Sequence, residues 1–201
     1  MAANRMLREH MEKYKVNQAK YENLWSTCAA IIKIEKDRKI AYAQLGDCMI
    51  IAEYQDGTIK ALTRDTVKDI SYRAKAWREE QRKHGVKIPD EVYYQDRTQQ
   101  LIFNRSLANK ENGYAVANGE EEVLNFIQYG EVNISEIKTL LLMTDGLFYP
   151  KYSIEETFKK IQTIGLDVYA VELGQYEKSN NLRSDDKTGV MISFCEEVRS
   201  L

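Results

Sequence analysis

Acidic residues lie at the ends of two apolar runs in this chain, and they are the residues best suited to chemistry. Asp145 directly follows the run KTLLLMT and precedes Gly146, which allows a sharp backbone turn. Asp185 and Asp186 shortly precede the last apolar run, GVMISF. Carboxylates brought to one edge of a sheet repel each other unless a cation such as Mg²⁺ or Mn²⁺ lies between them. The pattern suggests a cation site, although on spacing alone surface turns are the simpler explanation.

Other residue types with catalytic potential show weaker patterns. Asp47 lies in YAQLGDC between two β-rich runs, where it suits a turn and no local rule makes it a ligand. His10 and His84 lie in charged, helical segments and have no partner at ligand spacing. Cys48 has no nearby histidine or helix N-terminus to lower its pKa, so we expect it to be buried rather than nucleophilic.

The composition disfavours several classes of function. Lys and Arg number 29 against 31 Asp and Glu, so the formal net charge of -2 gives no reason to expect nucleic acid as a partner. The charged N-terminus does not resemble a signal peptide, and no apolar run approaches the ~18 residues that span a membrane. Three cysteines without CxxC spacing indicate a reducing compartment. We therefore expect one cytoplasmic domain over residues 1–201, with neither membrane nor nucleic acid as partner.

The first part of the sequence predicts a helix followed by strands. Apolar residues at helical spacing predict an amphipathic helix over about residues 3–25. The runs TCAAIIKI, KIAYAQL and CMIIAEY then predict strands in quick succession. Asp56-Gly57 follows the last of these runs and predicts a tight hairpin turn, because this pair accepts positive φ angles. We therefore expect an antiparallel meander.

The middle of the sequence is predicted to be mainly helical. Charged, helical patterns extend over about residues 67–82 and again around residue 100. The segment EEEVLNFIQY predicts a further short helix.

The last part of the sequence predicts buried strands and one well-capped helix. KTLLLMTDGL is a continuous apolar run that predicts a buried strand with a carboxylate at its tip. Ser153 and Glu156 form a capping box that starts the next helix, and strands are predicted at DVYAVEL and GVMISF. Local strand pairing with helices grouped between the strands favours an α+β layered sandwich over a doubly wound parallel sheet.

In this order the segments resemble the motifs of the protein phosphatase 2C family. WSTCAAII resembles its Gly-Thr-Thr strand, and YAQLGDCMIIAEYQDGTIKALTRD resembles its Gly-Asp-Ser-Arg strand, hairpin and Leu-Thr-x-Asp segment. LLLMTDGL is similar to the Ser/Thr-Asp-Gly-Leu segment, and SDDKTGVMISF is similar to the Asp-Asn-x-Thr strand. NKENGYAVANGEE resembles the stretch before the metal strand of bacterial members. Together these matches cover nearly the whole chain.

The resemblance implies a fold and an activity. The fold would be a four-layer α-β-β-α sandwich, in which helices flank two antiparallel sheets. The activity would be that of a bacterial-type, metal-dependent phosphatase acting on phosphoserine or phosphothreonine in a phosphorylated protein substrate. In that mechanism two Mn²⁺ or Mg²⁺ ions activate a water that attacks phosphorus directly, so no catalytic cysteine is needed. The charged stretch from about Val67 to Pro89 occupies the place of the family's variable flap, where substrate choice is expected to reside.

The resemblance also implies the site residues. Asp145, with Gly146 beside it, and Asp185 match the family's metal-binding segments. Asp47 matches the aspartate that in some members helps to bind a third, weaker metal. Tyr149 stands about where animal members place another acidic residue, and this difference argues against the third-metal site.

Two parts of the family pattern have no match. These are the bridging aspartate of an Asp-Gly-x-Gly-Gly motif and a phosphate-binding arginine, while Asp186 replaces the usual Asn and Cys48 the usual Ser. We therefore expect a sandwich that lacks its N-terminal strands, that self-associates through an exposed sheet edge, and that is weakly active or inactive alone. The alternative is a non-catalytic phosphatase-fold module that binds a partner or a phosphorylated segment.

Overall fold

Contacts divide the chain into two compact units in the computed structural model, which describes residues 2–194. The helical unit consists of residues 2–28 and 66–127, and the sheet unit consists of residues 29–65 and 128–194. Cys195, one of the three cysteines, lies outside the described residues. The expectation of one domain over residues 1–201 stays a prediction.

The described residues form five helices and seven strands. The helices are α1 (Ala2–Lys13), α2 (Ile70–Lys83), α3 (Arg97–Arg105), α4 (Ile154–Ile164) and α5 (Leu166–Ser179). The strands are β1 (Ala29–Ile34), β2 (Lys39–Leu45), β3 (Met49–Tyr54), β4 (Ile59–Ala61), β5 (Gln128–Asn133), β6 (Ile137–Met143) and β7 (Gly189–Ser193).

All seven strands belong to the sheet unit and form two antiparallel sheets. One has the order β1-β2-β5 and the other the order β4-β3-β6-β7. The α+β class with two antiparallel sheets is therefore confirmed. The prediction of a continuous meander is wrong, because β2 and β3 lie in different sheets although only three residues separate them. Gly46, with a φ of +82°, lies in this short connection and accepts a backbone conformation that other residues rarely adopt.

The central strands of the four-stranded sheet, β3 and β6, are buried on both faces. Ile50 of β3 packs with Ile40 of β2 in a core between the two sheets. Its neighbour Ile51 points to the opposite face and packs with Phe158 of α4 and Leu173 of α5. Burial on both faces explains why the first four residues of β3, Met49–Ala52, are all apolar rather than alternating with polar residues. Each fully buried aliphatic side chain stabilises the fold by roughly 1.5–3 kcal/mol.

The segment DVYAVEL was predicted as a strand, and this prediction is wrong because it lies within α5. Gly165 has a φ of +83°, ends α4, and lets the chain enter α5 in a new direction. Tyr169 and Leu173, four residues apart, are buried, whereas Val168 and Val171 are exposed. Burial at a spacing of four residues is typical of a helix, and the short apolar run concealed that period.

The capping box at the start of α4 is confirmed. The backbone N–H of Glu156 donates to Ser153 Oγ over 3.2 Å. In return, the Glu156 carboxylate accepts a 2.7 Å hydrogen bond from the Ser153 backbone N–H. These bonds satisfy donors that an uncapped helix would leave without partners. The Asp56-Gly57 hairpin is confirmed as well, with Asp56 Oδ1 accepting from the Thr58 N–H over 2.8 Å.

Two helix predictions are wrong in their extent. The helix predicted over residues 3–25 ends much earlier, and the second half of EEEVLNFIQY is not helical. The chain leaves α1 at Lys13, because Lys15 takes a φ of +56° and the Val16 N–H bonds back to the Met11 carbonyl over 2.9 Å. EEEVLNFIQY forms only a 3₁₀ turn at Glu121–Asn125, followed by the start of β5, a strand that the sequence reasoning missed.

The two predicted middle helices are confirmed as α2 and α3. Among residues 2–194, no helix is both long enough and apolar enough to cross a membrane. Strands β1 and β5 are the outer strands of the three-stranded sheet. Self-association through a sheet edge stays a prediction.

Candidate functional site

The register of β6 brings the predicted acidic segments to one edge of the four-stranded sheet. Met143, the last residue of β6, pairs with Met49 at the start of β3. On its other side Met143 pairs with Gly189 at the start of β7. Because both pairings are antiparallel, the chain leaving β6 through Asp145 runs beside the chains that enter β3 and β7. The segment carrying Asp47 precedes β3.

The charges of the neighbouring carboxylates affect the pKa of Asp145. Burial raises the pKa of the Asp145 carboxyl above its ordinary value of 3.8, and the negative charges of Asp47 and Asp185 raise it further. A hydrogen bond from the Gly146 backbone opposes this shift only in part. A carboxylate whose pKa is raised by neighbouring carboxylates is stabilised by a bound cation. Asp47, Asp145 and Asp185 therefore act as one electrostatic group.

Thr144 ties the end of β6 to the segment that enters β7. Its backbone N–H donates to the Thr188 carbonyl over 3.0 Å. Its hydroxyl accepts from the Thr188 N–H at 3.2 Å and lies 3.3 Å from the Asp186 carbonyl oxygen. Asp145 then begins a 3₁₀ turn with Gly146, which is buried. These backbone contacts fix where the Asp145 carboxylate stands relative to residues 185–188.

A buried glutamine holds the turn that carries Asp47. Gln44, whose relative exposure is 1%, donates from Nε2 to the carbonyls of Gly46 at 2.8 Å and Cys48 at 2.7 Å. Its own Oε1 accepts from Gln128 Nε2 over 2.6 Å. The Gln44 side chain thus provides hydrogen bonds for two backbone carbonyls that have no strand partner in this turn. These bonds hold the backbone on both sides of Asp47.

Asp65 is a member of the group that the sequence reasoning did not select. Its negative charge helps to raise the pKa values of both Asp145 and Cys48. Thr63 fixes the approach of this segment, because its hydroxyl accepts a 3.0 Å hydrogen bond from the Ile50 N–H. The Leu-Thr-x-Asp resemblance contained this aspartate, but it lies in an irregular segment after β4, where no local pattern marks it as functional.

Cys48 is not equipped for nucleophilic attack. It is 6% exposed. Burial and then the charges of Asp47, Asp145 and Asp65 raise the pKa of its thiol from 9.0 to about 11. Since the thiolate is the reactive form, this cysteine stays protonated at neutral pH. The expectation that Cys48 is buried is confirmed, and its low reactivity stays a prediction.

Three further residues considered in the sequence have other roles. The His10 ring contacts the Met6 carbonyl within α1, and His84 is exposed beside Glu80 at the end of α2. Tyr149 stacks on Tyr152 with ring centroids 4.4 Å apart. None of these contacts resembles a ligand set.

The carboxylates suit a hard cation held loosely. Within residues 2–194, no group of three or more His, Cys, Asp and Glu side chains could by itself hold a metal ion. Mg²⁺ and chemically similar cations are commonly bound through one or two carboxylates, with waters and substrate phosphate completing the shell. Asp145 and Asp185, mutually repelling at one sheet edge, fit that mode of binding.

Solved structures of serine/threonine phosphatases share this fold. A serine-threonine phosphatase 2C from Toxoplasma gondii superposes with a TM-score of 0.61 at 16% identity, covering 96% of this chain and 64% of that one. The Mycobacterium tuberculosis serine/threonine phosphatase PstP/Ppp gives a TM-score of 0.54 at 16% identity, covering 94% of this chain and 67% of that one. The PstP catalytic domain in complex with two manganese ions gives 0.52 at 15% identity, with coverages of 94% and 64%.

The sequence identifies the family. The family model described as Protein phosphatase 2C matches residues 1–171. The chain therefore belongs to the protein phosphatase 2C family. Asp47, Asp65 and Asp145 lie within the matched residues, whereas Asp185 lies beyond them and is placed by the pairing of β6 with β7. Curated protein sequences give no match. The chain spans 64% of the length of the Toxoplasma phosphatase chain.

Proposed function

We propose that this chain carries the metal-binding part of a metal-dependent protein serine/threonine phosphatase. The observation that carries the proposal is the pairing of β6 with β3 and β7, which brings the segments of Asp47, Asp145 and Asp185 to one edge of the sheet. Burial and then the charges of Asp47 and Asp185 raise the pKa of the Asp145 carboxyl at this edge. Mutually repelling carboxylates are costly for the fold unless a cation compensates them. Membership of the phosphatase family supports a phosphorylated protein as the substrate.

Asp145 and Asp185 would hold Mn²⁺ or Mg²⁺, with Gly146 beside Asp145, and Asp47 would face a third, weaker position. When bound, the metal supplies a water of lowered pKa and a positive field for the phosphoryl oxygens. The chain's own contribution is positioning. Thr144 and Gln44 fix the two turns, and no side chain needs to form a covalent bond to phosphorus.

We further propose that the protein works in the cytoplasm as one domain. The near balance of 29 basic and 31 acidic residues supports a phosphoprotein rather than a nucleic acid as partner. Turnover by residues 1–201 alone is expected to be near background, since the Asp-Gly-x-Gly-Gly aspartate has no match in this sequence.

A non-catalytic phosphatase-fold module is the second candidate. One observation favours it: no group of three or more acidic, His or Cys side chains within residues 2–194 could by itself hold a metal ion. Asp56 cannot replace the bridging aspartate, because it is exposed and occupied in the β3–β4 hairpin.

Calorimetric titration with Mn²⁺ tests the proposal. We expect weak binding to residues 1–201, and we expect Asp145→Asn and Asp185→Asn each to weaken it by about tenfold or more, the size of effect seen when metal sites lose supporting groups. Asp56→Asn is the matched control, because it removes a carboxylate outside the site while keeping the hydrogen bond to Thr58. Unchanged binding in both site variants would show that the residues are wrongly assigned.

Hydrolysis of a phosphothreonine peptide distinguishes the two candidates. Residues 1–201 alone should stay near background. In a version extended upstream, turnover should require Mn²⁺ and should be lower in Asp145→Asn than in the extended parent. An extended chain without turnover would favour the non-catalytic module.

A further inference from the structure

The loop that carries Asp185 is irregular and mostly exposed. It connects α5, which ends at Ser179, to β7, which begins at Gly189. The residues at positions 181–186 are exposed, whereas Lys187 turns inward and its side chain is only 11% exposed. An exposed irregular segment retains conformational freedom unless specific contacts remove it. The contacts made by Lys187 therefore help to hold Asp185 in place.

Lys187 is anchored to a buried carboxylate on α5. Its ammonium Nζ donates to Glu177 Oε2 over 2.7 Å, and the Glu177 side chain is 9% exposed. The same ammonium donates to the Asp185 backbone carbonyl over 3.0 Å. Glu177 Oε2 also accepts from the Ser184 hydroxyl over 3.0 Å. One glutamate on a helix thus holds residues on both sides of Asp185.

Backbone hydrogen bonds also attach both ends of this loop to the neighbouring elements. The Leu182 N–H donates to the Glu177 carbonyl over 2.9 Å. At the far end, the Thr188 N–H donates to Thr144 Oγ1 over 3.2 Å. Between these two backbone contacts, Lys187 and Ser184 connect the residues on either side of Asp185 to Glu177.

We propose that Glu177 and Lys187 are positioning residues that hold Asp185 in the orientation needed for metal binding. The inference rests on the proposed function, because it concerns the same carboxylate. Because Glu177 lies in α5, the helix fixes its position. Lys187 links Glu177 to the Asp185 backbone carbonyl and so holds the loop against the helix. Groups that orient metal ligands in this way commonly affect affinity by about 10–100-fold.

A purely electrostatic role of the Glu177–Lys187 pair predicts the opposite effect on metal affinity, so one substitution distinguishes the two roles. Lys187→Met removes a positive charge close to Asp185 and leaves Glu177 negative. If the pair acted only through its field, this substitution would strengthen the binding of a cation. If the pair positions Asp185, the same substitution weakens binding, because the loop loses its link to α5.

The experiment measures Mn²⁺ affinity by calorimetry in residues 1–201. Lys187→Met is expected to weaken binding by about tenfold. Lys187→Arg keeps a cationic donor and is expected to stay closer to the parent than Lys187→Met. The control is Glu172→Gln, which breaks the 3.2 Å pair with Lys160 between α4 and α5 but touches no residue of the loop. Affinity in Lys187→Met equal to or tighter than the parent value would overturn the proposal.

Amide hydrogen exchange in the metal-free protein tests whether Lys187 anchors the loop, and this test does not depend on the proposed function. The amides of Asp186 and Thr188 are hydrogen-bonded to Asp185 Oδ1 and Thr144 Oγ1. Lys187→Met should speed their exchange several-fold, while the amide of Leu141 in β6 exchanges as in the parent. Unchanged exchange at both loop amides would refute the anchor. Parent protein that binds no Mn²⁺, but whose loop exchange responds as expected, would refute the metal site and keep the anchor.

Discussion

The backbone carbonyl of Asp186 lies so close to Gly146 that a Cβ at position 146 would stand 2.2 Å from its oxygen. The carbonyl carbon of Asp185 would lie 3.4 Å from the same Cβ. The φ of Gly146 is outside the left-handed region, so the need for glycine is purely steric. The turn after Asp145 and the loop carrying Asp185 are therefore packed backbone against backbone.

Gly146→Ala should separate these two segments. We expect the free energy of unfolding to fall by about 1–3 kcal/mol, the usual cost of adding a methyl group where there is no space. We also expect Mn²⁺ affinity to fall, because Asp145 and Asp185 move apart. Urea denaturation and calorimetry measure the two effects.

Gly174→Ala is the matched control for this substitution. Gly174 lies within α5, and a Cβ there would meet no atom within 4 Å. Alanine should therefore stabilise the helix by about 0.5–1 kcal/mol and leave metal affinity unchanged. A Gly146→Ala protein as stable as the parent would contradict the close approach of Asp186.

Asp145→Asn should make the metal-free protein more stable at neutral pH although it weakens metal binding. Burial and the charges of Asp47 and Asp185 raise the pKa of Asp145 in the folded state above the ordinary value of 3.8. Ionised Asp145 is therefore unfavourable in the folded state, and an amide of the same shape removes that cost. Thermal unfolding in the presence of a chelator measures the change as a rise in Tm.

The pH dependence of this effect has a defined sign. Above the raised pKa the folded protein bears the full cost of ionised Asp145, so the Tm difference between variant and parent is largest there. As the pH falls through the raised pKa toward 3.8, the carboxyl becomes protonated in both states and the difference disappears. A difference that grew on acidification would mean that Asp145 is stabilised, not repelled, by its surroundings.

The sheet edge that carries Asp145 and Asp185 could be predicted because the sequence patterns of the strands next to it are clear. The apolar run before Asp145 predicts a buried strand, and the Ser153 capping box predicts the next helix. Antiparallel pairing of such a strand with its neighbours brings the connecting segments to one edge. The sequence therefore predicts that Asp145 and Asp185 lie near each other.

Other features depend on contacts between distant segments and leave no local pattern. The assignment of β2 and β3 to different sheets depends on which faces become buried, and short apolar runs do not report this. DVYAVEL has β-branched residues but folds as a helix because Tyr169 and Leu173 meet the sheet core. The link from Glu177 to Lys187 spans ten residues across an irregular loop, where no spacing rule applies.

Cys48 should resist alkylation in the folded protein. Burial and neighbouring carboxylates raise the pKa of its thiol to about 11, so very little thiolate exists at pH 8. Iodoacetamide labelling followed by peptide mass spectrometry should show Cys48 unmodified in the native protein and modified in urea. Cys48→Ser should also retain Mn²⁺ affinity. Rapid native labelling of Cys48 would contradict the buried, acidic surroundings.

Glu91 in the helical unit pairs with an arginine that has almost no contact with water. The Arg78 side chain is 2% exposed and donates to Glu91 from Nε at 2.9 Å and Nη2 at 2.7 Å. Its guanidinium lies 3.9 Å from the centroid of the Tyr94 ring. Hydrogen bonds from Arg78 and then Arg82 lower the pKa of Glu91 from 4.5 to about 2. The pair joins α2 to the segment before α3.

Glu91→Gln should therefore destabilise the protein by about 2–4 kcal/mol at pH 7, because a buried guanidinium loses its compensating charge. Since the folded pKa is depressed, the stabilisation by Glu91 is present above pH 4.5 and is lost as the pH falls toward 2. The difference between variant and parent in urea denaturation should shrink between pH 7 and pH 3. Glu80→Gln, which breaks an exposed pair with Lys83, should change stability by no more than about 0.5 kcal/mol. Equal effects of the two substitutions would contradict the burial of Arg78.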